Sequence, residues 1–147
     1  MSTTTAPKKP SFTPPTPAPE HQATQKVATR LVELCNTGKN EQALKELYAD
    51  NARHVEAMEG PGCPRITEGK KALLEKAAHW AKTTTVHSAS CAKPLVNGDQ
   101  FTCQMTMDCT CSEGPMANQR MQMSETCLYT GKNGKITEGK FFYGCGA

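Results

Sequence analysis

From Gln100 to Cys111 the chain reads QFTCQMTMDCTC, and it alternates without a break. Phe101, Cys103, Met105, Met107, Cys109 and Cys111 share one parity, while Thr102, Gln104, Thr106, Asp108 and Thr110 share the other. A period of two sends successive side chains to opposite faces of an extended backbone, so no helix accommodates this pattern. It predicts a long strand with one face against a core and one polar face outward. Upstream, VNGD (96–99) reads as a hairpin turn that returns to a strand over 84–94. Downstream, SEGPMAN leads to a strand over 119–129, and GKNG (131–134) turns into a final strand over 135–143. Four strands joined in series by turns make an antiparallel meander.

The third of these strands poses a chemical question. Met121, Met123, Cys127 and Tyr129 form its apolar parity, and the fifth member of that parity is Glu125. Burying an unpaired carboxylate costs several kcal/mol unless it is protonated or hydrogen-bonded. Register alone turns Glu125 toward the core. Desolvation there raises a carboxyl pKa, which suits a neutral hydrogen-bond donor or general acid. The alternative is a structural carboxylate bonded to His87, to groups around Arg120 or to a hydroxyl.

The first half of the chain is helical by its spacing. Val27, Leu31, Leu34 and Cys35 recur along Gln22–Asn36 before Gly38, and Ala43, Leu44 and Leu47 mark a short helix over Asn40–Tyr48. RHVEAM (53–58) is too short for a helix ahead of GPGCP and reads as a brief strand. TEGKKALLEKAAHWAKT then forms a third helix with Leu73, Ala77, Trp80 and Ala81 on one face. Three helices followed by a meander define an α+β fold, with the helices packed in a curved antiparallel sheet that makes a cone-shaped barrel. The inner wall of such a cone is the apolar face.

Residues 1–21 stand apart. The opening twenty residues hold six of the ten prolines and almost no aliphatic side chains, too little apolar surface to offset ordering entropy, so 1–21 reads as a disordered Pro/Thr-rich tail and 22–147 as the folded domain. No run of about 18 apolar residues is present, and the tail lacks the apolar centre of a secretory signal. The expectation is a cytoplasmic protein with no membrane partner. A net charge of +3 with scattered Lys and Arg gives no basic-aromatic stripe, so no nucleic-acid partner is expected either.

Eight cysteines (35, 63, 91, 103, 109, 111, 127, 145) are an even set, but without an export signal they read as ordinary buried thiols rather than a disulfide framework. Cys109 and Cys111 share a strand face and could hold a metal or a redox disulfide. No second close pair or HxxxH accompanies them, so neither a metal nor a cofactor is expected.

The order of elements, together with LVELCNTGKNEQALKELYADNARHVEA, resembles the SnoaL-like branch of the fold shared by nuclear transport factor 2 and ketosteroid isomerase. The likeness covers about residues 22–143. It rests on Gly38 after the first helix, on the Tyr48-Ala49-Asp50-Asn51-Ala52 run, on the Thr67-Glu68-Gly69-Lys70 opening of the third helix, and on Gly134-Lys135-Ile136. The fold hosts isomerases, cyclases, dehydratases, hydrolases and non-enzymes, so function has to come from the site.

Carried over by position, the resemblance implies that Glu56, four residues beyond Ala52, stands where the isomerase has its general base. Glu125, four residues before Tyr129, stands where it has its acidic oxyanion donor. Leu31 occupies the place of its tyrosine donor, so that hydrogen bond is absent here. His54 shares the parity of Glu56 and joins the candidate catalytic set. Leu31, Tyr48, Met58, Trp80, His87, Met105, Met107, Met123 and Tyr129 are the expected pocket wall, a mostly apolar lining with a few polar points. The expected activity is cofactor-independent acid–base chemistry, of isomerase, cyclase or dehydratase type, on an apolar carbonyl compound. A non-catalytic ligand-binding or dimerisation module is the alternative. The resemblance also implies a homodimer formed through the outer face of the sheet, where Thr102, Gln104, Thr106 and Thr110 are polar but uncharged.

Overall fold

The computed structural model describes residues 2–144, so Met1 and the last three residues, Cys145 among them, lie outside the described residues. Helix α1 (Pro19–Asn36) begins on a proline, whose missing N–H and fixed φ suit a first helical turn. It therefore takes in Pro19, Glu20 and His21, which the sequence reading assigned to the tail. Its buried stripe is Thr24, Ala28, Leu31 and Leu34. Gly38 ends it at φ +72°, and the Lys39 N–H returns to the Leu34 carbonyl at 2.9 Å. Helix α2 (Asn40–Leu47) buries Ala43, Leu44 and Leu47, and helix α3 (Lys70–Thr83) buries Leu73.

Seven strands form one sheet: β1 (Tyr48–Val55), β2 (Ile66–Glu68), β3 (Thr84–Cys91), β4 (Leu95–Asn97), β5 (Gln100–Cys111), β6 (Arg120–Lys132) and β7 (Lys135–Phe142). Their spatial order is β2-β1-β7-β6-β5-β3, with β4 also on β5. The fold is α+β as expected, and the sheet is mixed, because β1 runs parallel to β7 while every other pairing is antiparallel. Tyr48 opens β1 rather than closing α2. That strand also stops at Val55, which leaves Glu56 just beyond it and Met58 in the β1–β2 connection. The β6–β7 turn places Asn133 at φ 52° and Gly134 at φ +74°, two left-handed residues that follow the right-handed twist of the strands.

The register of β5 on β6 confirms the parity argument row by row. Phe101 faces Tyr129, Cys103 faces Cys127, Met105 faces Glu125, Met107 faces Met123 and Cys109 faces Met121. Phe101 and Tyr129 stack at 4.8 Å and fill one end of the cone beneath α1. Cover is thinnest over the middle rows, where Glu125 and Met107 are half-buried and Met123 is 38% exposed. At the far edge Asn36 exchanges two hydrogen bonds with the Cys91 backbone, of 3.0 and 2.8 Å, and so pins the end of α1 to the end of β3.

Candidate functional site

His54 lies on the inner face of β1, opposite Thr67 on β2 and Gly139 on β7. Gly139 is small for a reason. A Cβ there would lie 3.1 Å from His54 Cδ2, 3.1 Å from Tyr129 Cε1 and 3.2 Å from Phe141 Cζ, so only hydrogen lets these three rings converge. The imidazole meets Phe141 edge-on at 4.8 Å. Its Nδ1 lies 3.3 Å from Lys76 Nζ and its Nε2 lies 3.0 Å from Tyr48 Oη. An ammonium can only donate, so Nδ1 accepts, and the ring proton sits on Nε2 and is donated to Tyr48. Burial, reinforced by the Lys76 charge, pushes the His54 pKa down to about 3. His54 is a neutral hydrogen-bond relay at ordinary pH.

Glu56 follows directly. Lys76 Nζ, projecting from α3, lies 2.5 Å from its Oε1, and the Tyr143 hydroxyl donates to Oε2 at 3.0 Å. The two charged side chains are only 11% and 14% exposed for Glu56 and Lys76, so this pair lies inside the molecule rather than on its surface. Lys76 Nζ also stands 5.8 Å from the Phe141 ring centroid, on the ring's attractive face. Burial first, and then the Glu56 charge, hold the Tyr143 hydroxyl protonated well above its usual range.

Glu125 comes from β6, two strands along the sheet from β1. The Cys127 thiol donates to its Oε1 at 3.6 Å. Burial raises its pKa most, the Glu56 charge adds to that, and the Cys127 bond and Lys76 act the other way. Among the described residues the one buried side-chain oxygen or nitrogen without a partner is Thr67 Oγ1, so the second Glu125 oxygen is reached by solvent. One carboxylate, Glu56, is therefore ion-paired with Lys76, and the other, Glu125, feels the charges of that pair and is driven by burial toward its neutral form.

The remaining residues singled out in the sequence divide. Tyr48 and Tyr129 are buried beside this centre, with Tyr48 on His54 and Tyr129 stacked on Phe101. Met105 faces Glu125, and Met107 and Met123 form the next row. Leu31 is core on α1, and Trp80 on α3 is 37% exposed. Met58 is half-buried in the β1–β2 connection. His87 does not line the interior. It is exposed on the outer face, 2.9 Å from Thr110 Oγ1, because β3 slips register between Val86 and Ser88. Arg120 pairs with Asp108 on that same outer face, so neither is the partner of Glu125.

The sequence reading passed over Lys76 and Tyr143. Lys76 lies three residues after Leu73 and four before Trp80, a cation on the buried stripe of α3, and such a lysine is seldom buried unless paired. Tyr143 continues the parity of Gly139 and Phe141 past the end of β7.

Among the described residues no three histidine, cysteine or carboxylate side chains are placed to hold a metal ion, and the seven described cysteines are free thiols. Cys109 donates toward Met123 at 3.8 Å, and burial pushes its thiol up to about 11. No described helix is long and apolar enough to cross a membrane. A hollow of about 610 Å³ lies on the outer side of α3 between Asp50, Lys70 and Glu75, and another of about 320 Å³ lies over β3, β5 and β6 at Met107 and Met123. Neither borders Glu56. The second lies on the outer face of the sheet, lined by Ser88, Ser90, Thr106, Asp108 and Ser124.

Known proteins share this fold. Residues 22–143 match the model of the SnoaL-like domain. A Mesorhizobium loti protein described as a SnoaL-like polyketide cyclase is 40% identical, with 80% of this chain and 97% of that one covered and a TM-score of 0.74. An NTF2-like protein of Burkholderia xenovorans shares the fold at 11% identity, covering 84% of this chain and 91% of that one with a TM-score of 0.67. A Catenulispora acidiphila protein with a ketosteroid isomerase-like fold, in complex with trimethylamine, does so at 18% identity, covering 83% and 88% with a TM-score of 0.63. Among curated proteins none matches the chain. With three helices packed on a curved sheet and the family model matched over residues 22–143, the chain belongs to the SnoaL-like family.

Proposed function

We propose that the protein binds an apolar carbonyl compound in the cone and moves a proton on it without a cofactor, as an isomerase, cyclase or dehydratase does. The observation that carries this reading is the buried Glu56–Lys76 pair, with Glu125 on β6 within reach of its charges and pushed by burial up toward its neutral form. Glu56 takes a proton from the carbon next to the carbonyl, and the electron pair moves onto the oxygen. Glu125, kept neutral, donates a hydrogen bond to that oxyanion, and the Lys76 cation stabilises the same charge. Glu56 then returns the proton. His54 does not accept protons in this scheme; it holds Lys76 in place through Nδ1. Met105, Met107 and Met123 form a wall that adapts to an apolar substrate.

A binding module without catalysis is favoured by one specific observation. Both Glu56 oxygens already accept a hydrogen bond within the chain, from Lys76 and from Tyr143, as a structural carboxylate does. Deuterium uptake at the α-carbon of a cyclic enone, followed by NMR, separates the two readings. Glu56→Gln is expected to slow protein-catalysed uptake by about 100-fold or more, and Glu125→Gln, which keeps a donor, by less. No acceleration over buffer by the wild type, with enone binding intact in a thermal-shift assay, assigns the site to binding alone.

The outer sheet face gives the quaternary proposal, a homodimer in the cytoplasm. Thr102, Gln104, Thr106 and Thr110 with Ser88, Ser90 and Ser124 form a polar, nearly uncharged surface suited to a hydrogen-bonded interface. Light scattering is expected to give twice the chain mass at micromolar concentration, and a monomer mass removes this proposal.

A further inference from the structure

We propose that the β1–β2 connection, residues 57–65, is a flap over the Glu56–Lys76–Tyr143 centre, held shut by the packing of Gly62 on the ring of His79. The role of a gate rests on the reading of that centre as the functional site, whereas the flap itself is read from contacts of its own.

Its neck is narrow. The Glu56 N–H donates to the Arg65 carbonyl at 2.7 Å, and beyond that point Gly60 and Cys63 exchange two backbone bonds of 3.0 Å each. The intervening Pro61 and Gly62 form the tip of a small rigid turn. Its underside faces the centre: Cys63 is half-buried and lies within range of the Glu56 and Lys76 charges, next to the Glu56–Arg65 backbone bond at the neck.

The tip rests on one side chain. Gly62, at φ +64°, lies so close to His79 that a Cβ would fall 2.3 Å from Nε2, 2.4 Å from Cδ2 and 2.8 Å from Cε1. Only glycine permits both that backbone conformation and that approach. His79 belongs to α3 and is held by Glu113 of the β5–β6 connection at 3.0 Å. Pro61 reaches the same connection, with its Cδ 4.0 Å from where a Gly114 Cβ would stand. Flap, helix and connection thus meet at His79, whose bond to Glu113 is exposed and correspondingly weak. The flap can swing without disturbing the β1–β2 ladder, which begins only at Val55 and Ile66. With the flap closed, Glu56 has both oxygens occupied and little exposure, so a substrate entering from this side needs the tip to lift.

Cys63 supplies a readout that needs no substrate. Iodoacetamide labelling of the full-length protein, quantified at Cys63 by peptide mass spectrometry, follows opening of the flap. His79→Ala is expected to speed labelling of Cys63 several-fold while Cys103 and Cys127 stay slow, and Gly62→Ala to speed it by about ten-fold or more. The double variant should label more slowly than Gly62→Ala alone, since the ring that the new methyl would strike is gone. If Gly62→Ala fails to fold, His79→Ala decides by itself. Wild-type labelling of Cys63 in His79→Ala overturns the flap, as does a parallel rise at Cys103 and Cys127, which would mean general loosening. If the labelling results hold and Glu56→Gln alters neither uptake nor binding of the enone, the flap stands and the reading of the centre falls.

Discussion

Lys76→Met should destabilise the protein by about 3–5 kcal/mol at pH 7, more than its place on a helix flank suggests. The ammonium is the cationic partner of Glu56 and a donor to His54, and both members of the ion pair are nearly closed off from water. Without it a carboxylate is left inside the molecule with the Tyr143 hydroxyl as its remaining donor and the Glu125 carboxyl nearby. Adding Glu56→Gln removes the stranded charge, and the double variant should recover most of the loss, the non-additivity expected of groups in direct contact. Urea midpoints of the wild type, both single variants and the double variant measure this. A loss below about 1 kcal/mol for Lys76→Met would mean that the pair is effectively solvated.

The second large effect is on acid stability, and it comes from His54. Burial and Lys76 hold its folded pKa near 3 against an ordinary 6.5. Between these values the unfolded chain binds a proton that the native ring refuses. The contribution of His54 is therefore complete above pH 6.5 and drains away as pH falls toward 3, at about 1.4 kcal/mol per pH unit. Glu125 has the opposite sign. Its raised pKa means that the native state keeps the proton longer, so its contribution is complete below the unfolded value of 4.5 and is lost as pH rises through the folded value. In the window just above pH 4.5 the two groups oppose each other. His54→Gln, which keeps a donor for Tyr48, should flatten the acid decline, and Glu125→Gln should steepen it. Denaturant midpoints at unit pH steps from 4 to 8 test both. Equal slopes for wild type and His54→Gln would show that the ring is not the group refusing the proton.

Much of this was legible in the alternation of 100–111 and 120–129. Strand parity is a local property, so it placed Glu125 and its row partners inward without knowledge of the fold. His87, expected on the pocket wall, lies outward beside a register slip in β3, and such a slip depends on the strand alongside and leaves no mark in composition. Parity was undecided for Glu56, which sits just past the end of a strand, and only the family resemblance pointed it inward. Lys76 and Tyr143 were legible but unread: one is a cation on a buried helical stripe, the other a hydroxyl at the end of an inward-facing row. The short strands β2 and β4, three residues each, lie below what periodicity can detect.

The parallel ladder between β1 and β7 has a kinetic meaning. Arg53 and Glu138, ion-paired at 2.7 Å across it, are separated by 85 residues of chain. The hairpins of the meander close short loops, whereas this ladder must close nearly the whole domain before any of its contacts form. His54 rides on β1 with Glu56 just past it, and Phe141 rides on β7 with Tyr143 just past it, so the groups around the buried ion pair come together only at that late closure. A nascent chain released before its last strand can have the helices and most of the sheet, yet it has no centre.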